Sequence, residues 1–145
     1  MYYRYARMGS YSLCIMACLG LFLSLSCAPS FARKSNLPKF TLTKKDSGKT
    51  ITLRVGDKIA IKLAETPSTN YLWDIEQTDS NILKCLGSKY VQDPLSSEAS
   101  GNRTFLFQAL KPGTVHLKLK QWRLWESIKP IIGRFNAVIK VAHAH

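Results

Sequence analysis

The stretch V-H-L-K-L-K at residues 115–120 alternates apolar and polar side chains along its whole length. Because successive side chains of a β-strand point to opposite faces, this pattern predicts a strand with one buried face and one solvated, basic face. Comparable alternation occurs at residues 51–55, 59–63, 71–75, 105–109 and 135–141. Turn residues separate these stretches, as in K-P-G-T at residues 111–114, and no long helical period competes with them. The sequence therefore predicts an all-β protein.

About seven or eight short strands with one apolar face each have to bury those faces against one another, and two packed sheets achieve this in a chain of this size. The predicted fold is an immunoglobulin-like antiparallel β-sandwich, and a small closed barrel stays open because pattern does not fix topology. We expect Tyr71 and Trp73 to lie mainly in the core. Cys85 has apolar neighbours, which favours a small buried hydrophobe over a reactive thiol.

Residues 1–32 read as a signal peptide that precedes the folded domain at residues 33–145. Arg4 and Arg7 come before an uncharged apolar run, and Ser30-Phe31-Ala32 offers small residues for cleavage after Ala32. The run has about 13 residues, fewer than the roughly 20 that cross a bilayer, so we expect no stable membrane span. We therefore expect a periplasmic or secreted protein, with a lipid anchor on Cys27 as the less favoured alternative.

Charge and composition exclude several function classes. The chain has 21 Lys and Arg against 9 Asp and Glu, but the basic residues are scattered along strands, so we expect no nucleic acid partner. Cys85 is the one cysteine left after cleavage, which rules out an internal disulfide. His116, His143 and His145 fit no catalytic pattern and no metal-ligand spacing, so the sequence predicts neither an enzyme nor a cofactor or metal site.

One loop between two predicted strands contains residues that restrict its backbone, so we expect it to be stiff. It reads T-P-S-T-N-Y-L-W at residues 66–73 and follows V-G-D at residues 55–57. Pro67 restricts φ, the neighbouring hydroxyls can bond to local backbone, and Asn70 tolerates the left-handed conformation. A well-made hairpin connection explains this composition, but the stretch also resembles N-P-(S/T)-T-G-(F/Y)-x-W of the chagasin-type inhibitors of papain-like cysteine peptidases. Thr66 replaces the Asn of that motif, and Asn70 replaces its Gly.

Two further stretches are similar to motifs of the same family. Its G-x-G-G motif falls on E-A-S-G at residues 98–101, where the last glycine is kept and an ordinary flexible loop is the alternative. The motif R-P-W falls on residues 123–125, where Leu124 replaces the proline and a surface cation–π pair is the alternative. Between them, F-Q-A-L-K-P-G-T at residues 107–114 resembles the family's scaffold.

The resemblance implies a reversible, non-covalent, competitive protein inhibitor of papain-like (cathepsin-like) cysteine peptidases, which we expect to be a monomer without a cofactor. Three loops around residues 68, 101 and 124 would meet at one end of the sandwich and enter the catalytic cleft. The expected peptidase-binding residues are Thr66, Pro67, Ser68, Thr69, Asn70, Ser100, Gly101, Asn102, Trp122, Arg123, Leu124 and Trp125. The departures at Thr66, Glu98, Ser100 and Leu124 favour the alternative, a basic envelope-associated immunoglobulin-like interaction module without inhibitory activity.

Overall fold

A computed structural model describes residues 37–123 and 130–143, and the predicted signal peptide with Cys27, the binding residues Leu124 and Trp125, and His145 lie outside them. The described residues form eight strands: β1 (Phe40–Thr43), β2 (Thr50–Arg54), β3 (Lys58–Glu65), β4 (Leu72–Gln77), β5 (Leu83–Gln92), β6 (Gly101–Ala109), β7 (Gly113–Trp122) and β8 (Gly133–Ala142). Two single-turn 3-10 helices, Lys44–Asp46 and Pro67–Thr69, are the only helical segments in this part of the chain. None of its helices is long and apolar enough to cross a membrane.

The strands form two four-stranded sheets, with the orders β1-β3-β6-β5 and β2-β8-β7-β4. The predicted immunoglobulin-like sandwich is confirmed. Most neighbours are antiparallel, but β1 runs parallel to β3 and β2 runs parallel to β8. The parallel pairs arise because the chain changes sheet between their members, and only a crossover of this kind, not a hairpin, can bring parallel strands together.

The core lies between the two sheets and is built from the alternating positions that the sequence predicts. On β7, Val115 and Leu117 are buried whereas His116 is exposed. Phe107 and Phe135 are fully buried, and Trp73 is 7% exposed within the same cluster. Burying one large apolar side chain contributes about 1.5–3 kcal/mol, so this cluster supplies most of the driving force for folding.

Strand β5 was not predicted, because its alternation changes phase halfway along. The pairing with β6 shifts between Cys85 and Gly87, which is a β-bulge. An extra residue in one strand moves the following side chains to the other face, so no single period fits the sequence. Cys85 is half-buried rather than buried, although it still packs against the core, and Leu86 is exposed.

Strand pairing brings three connections to the same end of the sandwich. In one sheet Gly101 pairs with Glu65 and with Gln92, which brings the end of β3, the end of β5 and the start of β6 level. In the other sheet Leu72 pairs with Trp122, and Gln121 pairs with Gly133. We call these connections the first loop (residues 66–71), the second loop (residues 93–100) and the third loop (residues 123–132, of which 123 and 130–132 are described). The first loop joins the two sheets, so all three lie at this end.

Candidate functional site

The first loop is a compact 3-10 turn held by its own backbone. Thr66 is extended, at φ −125° and ψ 92°, because it precedes Pro67, which occupies the start of the turn. The Thr69 and Asn70 amides donate to the carbonyls of Thr66 and Pro67 at 3.0 and 2.9 Å, and the Thr69 hydroxyl donates to Thr66 at 2.7 Å. Asn70 is left-handed at φ 62°. The left-handed conformation that the sequence allows for Asn70 is confirmed.

The stem of the first loop contains a buried ion pair. Glu65 is 2% exposed and is the only charged residue that is buried in the described part of the chain. Its carboxylate accepts hydrogen bonds from Arg103 Nε at 2.8 and 2.9 Å and from Arg103 Nη2 at 2.7 Å. It also accepts one from the Trp73 amide at 2.9 Å. These hydrogen bonds raise the pKa of the Arg103 guanidinium. The carboxylate therefore ties β3 and β4, the two sides of the loop, to β6.

The side chain of Ser96 holds the second loop together through hydrogen bonds. Its hydroxyl lies 2.6 Å from the Ser100 hydroxyl and accepts from the Glu98 and Ser100 amides at 3.3 and 3.2 Å. The Asp93 amide donates to the Ser100 carbonyl at 2.9 Å across the base of the loop. The loop is thus held by its own hydrogen bonds, although most of its side chains are exposed.

Gly101 lies where a side chain would not fit. A Cβ atom there would lie 2.3 Å from the Val91 carbonyl oxygen and 2.8 Å from the Tyr90 hydroxyl oxygen. This explains why the last position of the E-A-S-G stretch is glycine. Gly101 is buried, so its contribution is to let the second loop approach β5, and Ser100 and Asn102 beside it are half-buried.

The first and second loops touch at their tips. The Ser68 hydroxyl donates to the Glu98 carbonyl at 3.4 Å, a long hydrogen bond. Ser68, Thr69 and Asn70 are exposed, and Thr66 and Pro67 are half-buried. The exposed tip therefore presents small polar side chains above a rigid base.

Two aromatic–cation contacts lie where β7 ends and the third loop begins. The Arg123 guanidinium carbon lies 4.6 Å from the centre of the Tyr71 ring, and Lys120 Nζ lies 3.8 Å from that of Trp122. Gln121 Nε2 donates to the Tyr71 carbonyl at 3.4 Å. Tyr71, expected mainly in the core, is instead half-buried and joins the first loop to the third. The predicted core position of Trp73 is confirmed.

The structure brings ten of the twelve predicted binding residues to one end of the sandwich, and the other two, Leu124 and Trp125, lie outside the described residues. Sequence reasoning missed the residues beneath the loops, namely Glu65 and Arg103. A signal for them exists. Glu65 continues the buried positions of β3, and Arg103 continues those of β6. A charge on a buried strand face requires an opposite charge nearby, so the two could have been paired.

Within residues 37–123 and 130–143, no cluster of three or more His, Cys, Asp or Glu side chains could hold a metal ion. This end of the molecule presents hydroxyl groups, aromatic rings and several cationic side chains. Such a surface can fill and grip a groove.

Comparison with known proteins finds a family and relatives that this chain resembles. The sequence profile of a family described as "Chagasin family peptidase inhibitor I42" matches residues 52–139, which include all three loops. Amoebiasin-2 of Entamoeba histolytica is 30% identical over 118 residues, covering 75% of this chain and 86% of that protein.

Two solved structures share the fold. The crystal structure of the cysteine protease inhibitor EhICP2 from Entamoeba histolytica has a TM-score of 0.65 at 26% identity, over 73% of this chain and 100% of that one. The structure of Leishmania mexicana ICP has a TM-score of 0.52 at 27% identity, over 67% and 90% of the two chains. The likeness to both spans most of the residues that form the sandwich.

Proposed function

The chain belongs to the chagasin family of peptidase inhibitors, and on this premise we propose that it inhibits papain-like cysteine peptidases reversibly, competitively and without a covalent bond. Membership makes the protein a cysteine peptidase inhibitor and not an enzyme. One observation supports the proposed mechanism above all. Three loops that are far apart in sequence lie at one end of the sandwich, where the Ser68–Glu98 and Arg123–Tyr71 contacts join them.

The first loop is the part that enters the catalytic cleft. A papain-like peptidase holds a reactive thiolate and an imidazolium at the bottom of a groove. Ser68 and Thr69 are small and exposed, so they can approach that bottom without a clash. Because the turn is already closed by its own hydrogen bonds, little conformational entropy is lost on binding. Filling the groove excludes substrate, and no catalytic group of the inhibitor is required.

The second and third loops contact the walls of the groove. Trp122 and Arg123 are of the residue types that dominate binding energy at protein interfaces. The Trp122 indole Nε1 is buried without a hydrogen-bond partner among the described residues. A contact of this kind buries roughly 800 Å² per partner, and its strength depends on rigidity and anchors more than on area.

Titration of the domain at residues 33–145 against papain tests the proposal. We expect complete, reversible inhibition that added substrate overcomes. Ser68→Arg should weaken inhibition at least a hundredfold, because a long charged side chain would have to enter the cleft. Ser80→Arg is the matched control, since Ser80 is exposed between β4 and β5 at the opposite end. Full papain activity at micromolar inhibitor, or equal loss in both variants, would refute the cleft-filling mechanism.

The alternative function is an interaction module that binds anionic envelope material through its basic face. Lys118 and Lys120 lie on the outward face of β7, beside His116. Binding by such scattered charges weakens strongly with added salt, whereas a loop held in a cleft by apolar and hydrogen-bonded contacts persists. Retention of papain inhibition at about 1 M salt, where the Debye length is about 3 Å, therefore favours the inhibitor.

We also propose that the protein is exported, cleaved after Ala32 and active as a monomer. The basic and apolar pattern of residues 1–32 supports export. N-terminal sequencing of the exported protein should begin at Arg33, and its scattering mass should be that of one domain. A mature protein that begins at Cys27 would instead support the lipid-anchored alternative.

A further inference from the structure

Glu65, Arg103 and Tyr90 lie beneath the first and second loops and form a continuous chain of contacts, which we call the relay. Glu65 follows Ala64 at the end of β3 and binds both the Trp73 amide and the Arg103 guanidinium. The Arg103 guanidinium carbon lies 5.9 Å from the centre of the Tyr90 ring. The Tyr90 hydroxyl donates to the Ala99 carbonyl in the second loop. The relay therefore runs from the stem of one loop to the tip of the next.

Ala99 makes this relay significant, because its backbone is left-handed at φ 55°. An L-residue with a Cβ atom is disfavoured there, so something else has to hold Ala99 in place. The Tyr90 hydroxyl contacts Ala99 itself, whereas the Ser96 hydroxyl holds the amides of the residues on either side. Ala99 in turn follows Glu98, whose carbonyl accepts the Ser68 hydroxyl from the first loop.

We propose that Glu65, Arg103 and Tyr90 are positioning residues, which set the spacing between the first and second loops and thereby the affinity for the peptidase. None of the three needs to touch the peptidase. Glu65 is buried, and the Arg103 side chain is 21% exposed. This inference rests on the proposed inhibitory function, but the geometric relay can be tested without a peptidase.

The decisive variant is Tyr90→Phe, which removes one hydroxyl and keeps the ring under Arg103. Losing a hydrogen bond that holds a disfavoured conformation should raise the inhibition constant for papain about tenfold. The double variant with Ala99→Gly should recover most of this loss, because glycine adopts the left-handed conformation without a Cβ penalty. A merely structural role of Tyr90 predicts no such rescue.

A second readout uses the free protein. In amide NMR spectra, Tyr90→Phe should shift the signals of Glu98, Ala99 and Ser68, and Ala99→Gly should return that of Ser68 toward its original position. Arg103→Lys keeps the charge beside Glu65 but loses the planar fork and the stack on Tyr90, so it should shift the same signals. Thr114→Val, which removes an exposed hydroxyl at the opposite end of the sandwich, is the matched control.

The outcomes separate the two proposals. If the wild-type protein fails to inhibit papain while the amide shifts appear as described, the proposed function fails and the relay stands. If papain is inhibited but Tyr90→Phe leaves both the inhibition constant and the Ser68 signal unchanged, the relay is overturned. Loss of affinity without rescue by Ala99→Gly would also overturn it, because the loss would then follow from general destabilisation.

Discussion

Gly101→Ala is the substitution whose effect follows most directly from the structure. The added Cβ would lie 2.3 Å from the Val91 carbonyl oxygen and 2.7 Å from Gln92 Cα, both of which are backbone atoms that cannot turn aside. Strands β5 and β6 would have to separate at the base of the second loop. Overpacking of this kind costs typically 1–3 kcal/mol, and backbone contacts place this case near the upper end. A loss of about 3 kcal/mol lowers the melting temperature of a domain of this size by roughly 10 °C.

The control for this prediction is Gly87→Ala on the same strand pair. A Cβ there meets nothing within 4 Å, but φ is 140°, so its cost arises from backbone conformation alone. Calorimetry should show both variants destabilised. Titration against papain should show weaker inhibition only for Gly101→Ala, because only that change displaces the second loop. Equal inhibition by the two variants at a temperature where both are folded would refute this assignment.

Three further outcomes are expected. Glu65→Gln should lower the free energy of unfolding by about 1.5–3 kcal/mol in urea titration, because Arg103, whose side chain is 21% exposed, would lose its charge-assisted hydrogen bonds. A loss under about 1 kcal/mol would contradict this. Arg123→Ala should raise the inhibition constant for papain at least tenfold with an unchanged melting temperature, since Arg123 lies at the proposed interface. An unchanged inhibition constant would show that Arg123 does not contribute to binding. Hydrogen bonds from Lys49 and Thr43 lower the pKa of Asp46 to about 2, so its contribution to stability is complete above its ordinary value of 3.8 and is lost as pH falls toward 2. Melting temperatures from pH 5 to pH 2 should therefore fall less steeply for Asp46→Asn than for the wild type, and identical slopes would argue against this role.

The alternating stretches predict six of the observed strands, β2, β3, β4, β6, β7 and β8, and miss the four-residue β1 and the bulged β5. On β7 and β8 the alternation continues without interruption, and the buried positions follow from it directly. On β5 a bulge reverses the alternation, so the local sequence pattern does not predict this strand, although Leu83 is fully buried. For the first loop, the sequence predicts the extended Thr66 and the left-handed Asn70 but not the 3-10 turn between them. Pro67 restricts its own φ and the conformation of Thr66, and Asn70 tolerates the left-handed region, so these features need no tertiary partner.

The residues that support the loops depend on contacts between distant parts of the chain. Glu65 and Arg103 are 38 positions apart, and their hydrogen bonds exist only because β3 and β6 pair in one register. The sequence alone therefore determined the all-β class, most of the buried strand faces and the backbone conformations of Thr66 and Asn70, since each follows from local periodicity or backbone restriction. Only the tertiary structure decided that β1 and β2 run parallel to their neighbours, that Tyr71 lies beneath Arg123 and that a buried charge joins two loops. These features depend on strand register and sheet crossing, which local sequence does not encode.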